Sequence, residues 1–192
     1  MEFLDTIPDD VYEDTAIEVA VSMENDGTFD LADPYRGQLS VVYDEFYFDL
    51  LSQSAYMNNI QLQGRNILRQ KGEYGLYDLA SLKVRPLVGS REHPTTSVFV
   101  NVCYPYETYF HSPVCIDTNI YSINLREQVC EVEDLTDSGQ GAPVAITRVE
   151  TFMIPVDNKI QPQFRITIEN VGDGQLLSYV EPDDLEQACS LQ

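Results

Sequence analysis

Two distant segments of the chain share one pattern of residue types, and this internal repeat limits the possible folds more than any other feature. Val19 to Gly27 reads VAVSMENDG, and Phe164 to Gly172 reads FRITIENVG. Each copy has three apolar residues at alternate positions, then Glu-Asn, one variable residue and Gly. Such alternation is typical of a strand that buries one face, and the Asn and Gly predict a turn in which Gly adopts a positive φ. The repeat therefore predicts two related β modules.

Other short segments rich in β-branched and aromatic residues lie between turn signals. They are Gln38–Tyr43, Phe46–Phe48, Ile60–Gly64, Leu79–Val84, Thr96–Phe110 and Val144–Val149. Many short strands separated by Gly, Pro, Asn and Asp predict an all-β protein. Helical periodicity is weak, and Leu50 to Asn59 is the one interior stretch that suggests a helical turn. Glu181 to Ala188, with Pro182 near its start, suggests a short helix close to the end.

The composition is that of a folded, strongly acidic protein. Hydrophobic residues make up 43% of the 192 residues, and 11 basic against 32 acidic side chains give a formal charge of -21. Because this charge repels phosphate backbones and anionic lipids, we expect no nucleic-acid partner and no binding to a membrane surface. No stretch approaches the roughly 20 apolar residues of a membrane span, so we expect no direct membrane insertion by this chain. Met1 to Asp5 lacks the features of a signal peptide, so an exported protein would have lost its signal or anchor.

The strand pattern and the repeat predict four regions. Residues 1–14 are a flexible acidic arm, 15–136 an immunoglobulin-like β-sandwich, 137–143 a linker, and 144–192 a partial second β module at the C-terminus. The last region is too short for a complete sandwich. Three explanations remain open: the chain is a fragment, the tail adds strands to the first module, or it complements a neighbouring molecule by strand addition.

The four cysteines match no metal-binding spacing, and their even number predicts disulfides formed in an oxidising compartment. Three connectivities are possible. We favour Cys115 with Cys130, because the segment between them has a polar middle flanked by β-formers and so predicts a hairpin. Cys103 with Cys189 follows by elimination. The alternative for Cys103 is a small buried apolar residue within its strand.

The strand followed by Glu-Asn-x-Gly, present twice, resembles the second strand of CARDB-type cell-adhesion-related domains, which are immunoglobulin-like sandwiches of prokaryotic surface proteins. The chain is also similar to uncharacterised surface proteins of archaea. That similarity lies in Val114–Thr118, Gln128–Cys130, Gly139–Thr147 and Ile168–Gly174. It covers the C-terminal part closely and the N-terminal part loosely. The resemblance implies an exported, usually membrane-anchored, multi-module protein, and it supplies no catalytic residues.

Few side chains suggest chemistry. The only histidines, His93 and His111, match no metal-ligand spacing and are expected in solvent, and no nucleophile or nucleotide-binding motif is present. Weak calcium candidates are Asp26 and Asp30 after the first repeat strand and Asp173 after the second. Weak candidates for contact with a ligand or partner are Tyr104, Tyr106 and Tyr109.

The sequence therefore predicts a protein that is not an enzyme and needs no cofactor. We expect a cell-surface or extracellular adhesion, scaffold or assembly subunit that acts by protein–protein contact or self-association. A carbohydrate-binding module with a glycan ligand is the alternative, and a glycoside-type enzyme ranks third, because acidic pairs are recognised by spatial and not sequence separation.

Overall fold

The computed structural model describes residues 1–4, 8, 10–87, 89, 93–117, 130–157, 159–178 and 189. The regular structure of these residues is ten β-strands, which pair antiparallel in three sheets, so the all-β prediction is confirmed. The chain forms two compact units. The first consists of Met1–Pro105 with Leu177–Gln192, and the second of Tyr106–Leu176.

The first unit contains seven strands in two sheets. They are β1 (Glu2–Phe3), β2 (Ala16–Glu24), β3 (Gly37–Val42), β4 (Phe48–Leu50), β5 (Tyr56–Ile60), β6 (Tyr74–Val84) and β7 (Phe99–Cys103). One sheet has the order β1-β2-β6-β4 and the other β5-β3-β7. β2 lies inside the first sheet, and β6 pairs with it from Ala16 to Glu24.

Apolar residues at alternate positions of these strands explain the core. Both sheets contribute to one buried cluster, formed by Ile17, Val19, Val21, Met23, Leu39, Val41, Phe48, Ile60, Leu62, Leu79, Ala80 and Leu82. The two-residue period places such side chains on one face of each strand, and removing them from water is the main favourable term in folding. The alternating apolar residues of β2 therefore lie in the core.

Two elements of the first unit differ from the sequence-based expectations. The helical turn suggested for Leu50–Asn59 is wrong, because Phe48–Leu50 pairs with β6 and part of Tyr56–Ile60 with β3. Pairing with neighbouring strands outweighs a weak local helical period. The strand predicted within Thr96–Phe110 extends only from Phe99 to Cys103. The suggested helix at 181–188 lies outside the described residues.

The second unit is built on a long hairpin. Its strands are β8 (Leu135–Thr136), β9 (Val144–Val156) and β10 (Lys159–Asn170), in the order β10-β9-β8. Residues 137–143, which the sequence suggested as a linker, lie inside this unit and connect β8 to β9. The side-chain amide of Gln140 there exchanges two hydrogen bonds with the backbone of Ile146. The observed division of the chain falls after Pro105 and not at 137–143.

Replacing Leu39 by Ala tests the importance of the core. Leu39 is fully buried on β3, so we expect Leu39→Ala to lower the free energy of unfolding by about 2–5 kcal/mol, from lost burial and a residual cavity. Leu76 on β6 is 61% exposed and provides the matched control, with an expected change within about 0.5 kcal/mol. Urea denaturation followed by circular dichroism measures both. Equal losses in the two variants would contradict the assigned core.

Candidate functional site

The two copies of the repeat end in turns with the same hydrogen bonds. After β2, the Asn25 Oδ1 accepts from Gly27 N at 3.2 Å, and its Nδ2 donates to Phe29 O at 2.8 Å. After β10, the Asn170 Oδ1 accepts from Gly172 N at 3.2 Å, and its Nδ2 donates to Gly174 O at 2.9 Å. Equal offsets and nearly equal distances show that the repeated residue types form the same local structure.

The glycines of these turns have a different role from the one predicted. The positive φ angles of described glycines occur at Gly89, Gly139 and Gly141, so the expectation for Gly27 and Gly172 is wrong. Close packing explains Gly172 instead, because a Cβ there would lie 3.1 Å from the Cβ of Pro143. Pro143 O also accepts a hydrogen bond from Val171 N at 2.8 Å, which brings the two backbones together.

The apolar faces of the two repeat strands differ sharply in exposure. On β2, Val19, Val21 and Met23 are 1%, 0% and 6% exposed. At the matching positions of β10, Phe164, Ile166 and Ile168 are 39%, 55% and 63% exposed. The pairing with β9 is irregular between Thr167 and Ile168, where Thr147 of β9 is the extra residue, so β10 keeps its alternation and these three lie on the same face. The second copy therefore presents to solvent the face that the first copy buries.

The edges of the two strands differ in the same way. β2 has a neighbour on each side, β1 and β6. β10 pairs with β9 over its whole length on one side, and its other side has no strand partner among the described residues. An edge with unpaired backbone groups beside apolar side chains is a template for another strand. We take the outer edge of β10 with Phe164, Ile166 and Ile168 as the candidate interaction site and name it the β10 edge.

Charged side chains accompany the β10 edge on the opposite face of the sheet. The guanidinium of Arg165 lies 5.2 Å from the ring centre of Phe152 and 3.4 Å from a carboxylate oxygen of Glu150. Nearby, the Arg148 guanidinium lies 2.8 Å from the Asp134 carboxylate and holds the pKa of Asp134 below its usual value, aided by a hydrogen bond from Thr151 N. Strand β10 itself carries two basic residues and one acidic residue. The β10 edge is thus not acidic, unlike the chain as a whole.

A second exposed apolar feature occurs in the first unit, at the tip of the loop between β5 and β6. Ile67 and Leu68 are 99% and 97% exposed. Asn66 closes the tip, because its Oδ1 accepts from Leu68 N and Arg69 N at 2.9 and 2.8 Å. Sequence reasoning missed this tip, although an Asn followed by two apolar residues within a polar, basic stretch was a readable signal.

Two of the predicted calcium ligands contact the backbone or side chains of the loop between β5 and β6. Asp30 accepts a hydrogen bond from Gly64 N at 2.7 Å, and Asp26 lies 3.2 Å from Arg65. Asp173 lies in the turn closed by Asn170. Among the described residues, no cluster of three or more His, Cys, Asp or Glu side chains is positioned to hold a metal ion.

The three candidate tyrosines belong to different units. Tyr104 lies in the first unit, whereas Tyr106 and Tyr109 lie in the second. The hydroxyl of Tyr106 donates to Gly141 O, which anchors the 137–143 turn. Contact of these tyrosines with a ligand stays a prediction. His93 and His111 are exposed, as expected.

The cysteine pairs agree with the favoured connectivity. Cys103, at the end of β7, is bonded to Cys189 with the Cα atoms 6.0 Å apart, and Cys115 is bonded to Cys130 with a Cα distance of 5.9 Å. The first bond ties Cys189 to the first unit. Most of the predicted hairpin, residues 118–129, lies outside the described part of the chain. Disulfides of this kind are typical of a non-reducing compartment.

A shallow depression of about 300 Å³ in the second unit contains one carboxylate, Asp137, among lining residues that include Phe110, Leu135, Ile146 and Arg148. Glycoside hydrolysis uses two carboxylates, so this depression does not supply that site. Within the described ranges, no helix is long and apolar enough to span a membrane.

Comparisons of the chain with family models, curated proteins and solved structures find no match. The class of the protein is therefore defined by its own structure. It is an all-β protein with antiparallel sheets and two disulfide bonds, and the outer edge of β10 has no strand partner among the described residues.

The two equivalent asparagines are expected to differ in their effect on stability. Asn25 donates to Leu62 O as well as Phe29 O, so Asn25→Ala leaves two partly buried carbonyls without this donor. We expect a loss of about 1–3 kcal/mol. Asn170→Ala is the matched control and should cost less, because its turn is exposed. Thermal and urea unfolding of both variants measure the difference. An equal or larger loss for Asn170→Ala would contradict this interpretation.

Thiol alkylation tests the disulfides. With both bonds formed, intact mass under denaturing, non-reducing conditions should show no alkylated thiol, and all four cysteines should react after reduction. Peptide mapping then identifies the linked pairs. Four reactive thiols without reductant would exclude the disulfides and would indicate a reducing compartment instead.

Proposed function

We propose that the protein is a non-catalytic adhesion, scaffold or assembly subunit of the cell surface, and that it acts by protein–protein contact through the β10 edge. One observation carries the proposal: the apolar face buried on β2 is exposed at the matching positions of β10. Exposed apolar residues in contiguous patches mark interaction sites on soluble proteins. Strand addition to an open sheet edge is a common mode of such recognition.

The arrangement of strands in the first unit supports an immunoglobulin-like sandwich as the finer fold. In that fold, one sheet has the strand order A-B-E-D and the other is built on C and F. The order β1-β2-β6-β4 follows the first of these when β6 is taken as E and β4 as D. In the order β5-β3-β7, β3 and β7 take the places of C and F, whereas β5 lies beside β3 without a counterpart in the C-F-G sheet. The resemblance to CARDB-type domains is consistent with this proposal.

Interpreted in the same way, the second unit is a partial module. β9 and β10 correspond to strands A and B, because β10 carries the repeat that β2 carries in the first unit. In the first unit the E-type strand β6 covers the outer edge of β2. The partner of the β10 edge would take the place that β6 has there. The third strand of this unit, β8, is only two residues long, and a hairpin alone is marginally stable in water, so such a partner would also stabilise the second unit.

The disulfides favour a non-reducing setting, and we propose the cell surface or the extracellular space. A carbohydrate-binding module is the rival function. It receives less support, because the hydroxyl of Tyr106 already donates a hydrogen bond to Gly141 O.

Site-specific photo-crosslinking tests the proposed contact. A benzophenone amino acid replaces Ile168 at the β10 edge, in cells that carry the protein on their surface. We expect a discrete protein adduct, because a strand added at this edge would place its side chains next to those of β10. Mass spectrometry of the adduct identifies the crosslinked protein.

The same photoreactive residue in place of Leu76 is the control, since Leu76 is equally exposed but lies in the first unit. Adducts at position 168 and not at position 76 support the proposal. No adduct at 168, or equal adducts at both positions, contradicts it. Binding of a defined glycan on an array, unaffected by Ile168→Lys, would favour the carbohydrate-binding function instead.

A further inference from the structure

The sequence of β10 identifies a partner for its own edge. This inference rests on the proposed function, because it names the occupant of the same site. We infer that the β10 edge pairs antiparallel with the β10 edge of a second copy of this chain, around a two-fold axis at Thr167. The contact would join two three-stranded sheets into one continuous sheet.

A two-fold axis requires that the contact surface be complementary to itself. Around Thr167, Ile166 faces Ile168 of the second copy, and the reverse pair forms on the other side of the axis. Arg165 likewise faces Glu169 of the second copy, again twice. Opposite charges and apolar pairs directly across neighbouring strands are both stabilising. The residues from Arg165 to Glu169 thus satisfy the symmetry with no unfavourable pair, and Phe164 faces Asn170 at each end of the paired segment.

Other registers satisfy the charges of β10 less well. Centring the axis on Arg165 places two guanidinium groups opposite each other, and like charges across strands are destabilising. Centring it on Ile166 pairs Phe164 with Ile168 and Ile166 with its own copy, but it places Arg165 opposite Thr167 and Glu169 opposite Gln163, so both charges lose their partners. A shift by a single residue places apolar side chains opposite polar ones. Charge complementarity therefore selects the register centred on Thr167.

Two further features limit the contact to this segment. Pro162 has no backbone N–H to donate, and proline within a sheet is tolerated at edges, where it ends pairing with a further strand. Arg165 is largely exposed despite its contact with Glu150, so its side chain is accessible to a second copy. The paired region is thus bounded by Pro162 on one side and by the Asn170 turn on the other.

The charge of the whole chain gives this dimer an unusual salt dependence. Two copies with a formal charge of -21 repel each other at long range, and added salt screens that repulsion. The Arg165 side chain is exposed, so the Arg165–Glu169 pairs offer little attraction for salt to screen. We expect the dimer to become tighter as salt rises from low to physiological ionic strength.

Sedimentation equilibrium of charge-reversed variants tests the inference. The wild-type chain should form a dimer over a concentration series reaching the high-micromolar range. Arg165→Glu and Glu169→Arg should each weaken the dimer about tenfold or more, because two attractive pairs become repulsive. Mixing the two variants should restore a dimer of near wild-type affinity, since each opposite charge then finds its partner. The double variant Arg165→Glu/Glu169→Arg should form a dimer of near wild-type affinity by itself, because each new charge again faces its opposite.

Arg165→Glu also removes the ion pair between Arg165 and Glu150 within one chain. A second copy cannot restore that pair, so recovery of the dimer on mixing must come from contacts between the two chains. Lys159→Glu is the matched control, because Lys159 lies on β10 outside the paired segment, and it should leave the dimer unchanged. Circular dichroism verifies that each variant is folded. A wild-type dimer that neither reversal weakens, or that mixing does not restore, overturns the register and the inference.

The outcomes also separate this inference from the proposed function. A wild-type chain that stays monomeric throughout overturns pairing with a second copy. If crosslinking at position 168 then identifies a different protein, the proposed protein contact stands with another partner. If crosslinking also yields no specific adduct, the proposed function fails as well.

Discussion

The structure depends on how each repeat strand satisfies its backbone and its apolar face. A strand needs hydrogen-bond partners along its edges and cover for its apolar side, since unpaired buried polar groups and exposed apolar area both cost free energy. β2 meets both conditions, because β1 and β6 flank it and both sheets of the first unit bury its side chains. Within the described part of the chain, β10 has a strand partner on one side only, which is β9. The same sequence pattern thus forms a core in one unit and a surface in the other.

The turn after β2 organises more than the strand it ends. Asn25 holds Phe29 O and Leu62 O at once, Asp30 accepts from Gly64 N, and Arg65 lies against Asp26. These contacts fix the base of the loop whose tip carries Ile67 and Leu68. Acidic residues that the sequence suggested as calcium ligands therefore have a structural role in positioning a neighbouring loop.

Local patterns were predictable and longer-range consequences were not. The alternation of β2 and β10, the asparagine turns and the Cys115–Cys130 pair followed from residue types and spacing, because each depends on a short stretch of chain, whereas Cys103–Cys189 followed only by elimination. The strand structure within Leu50–Asn59 did not, since β3 and β6 supply the pairing partners. The role of Gly172 depends on Pro143, which is distant in sequence. The exposure of Ile166 and Ile168 depends on whether another strand covers them, which no property of β10 alone determines.

An exposed apolar edge is also a hazard, because any flat strand with free backbone groups can join it. The chain opposes non-specific association in two ways. Its charge of -21 repels other copies in most orientations, and Lys159, Pro162 and Arg165 interrupt β10 with residues that natural edge strands use against aggregation. An association that survives this repulsion must therefore gain from a specific register. That condition favours a partner whose charges match Arg165 and Glu169 over one that offers apolar area alone.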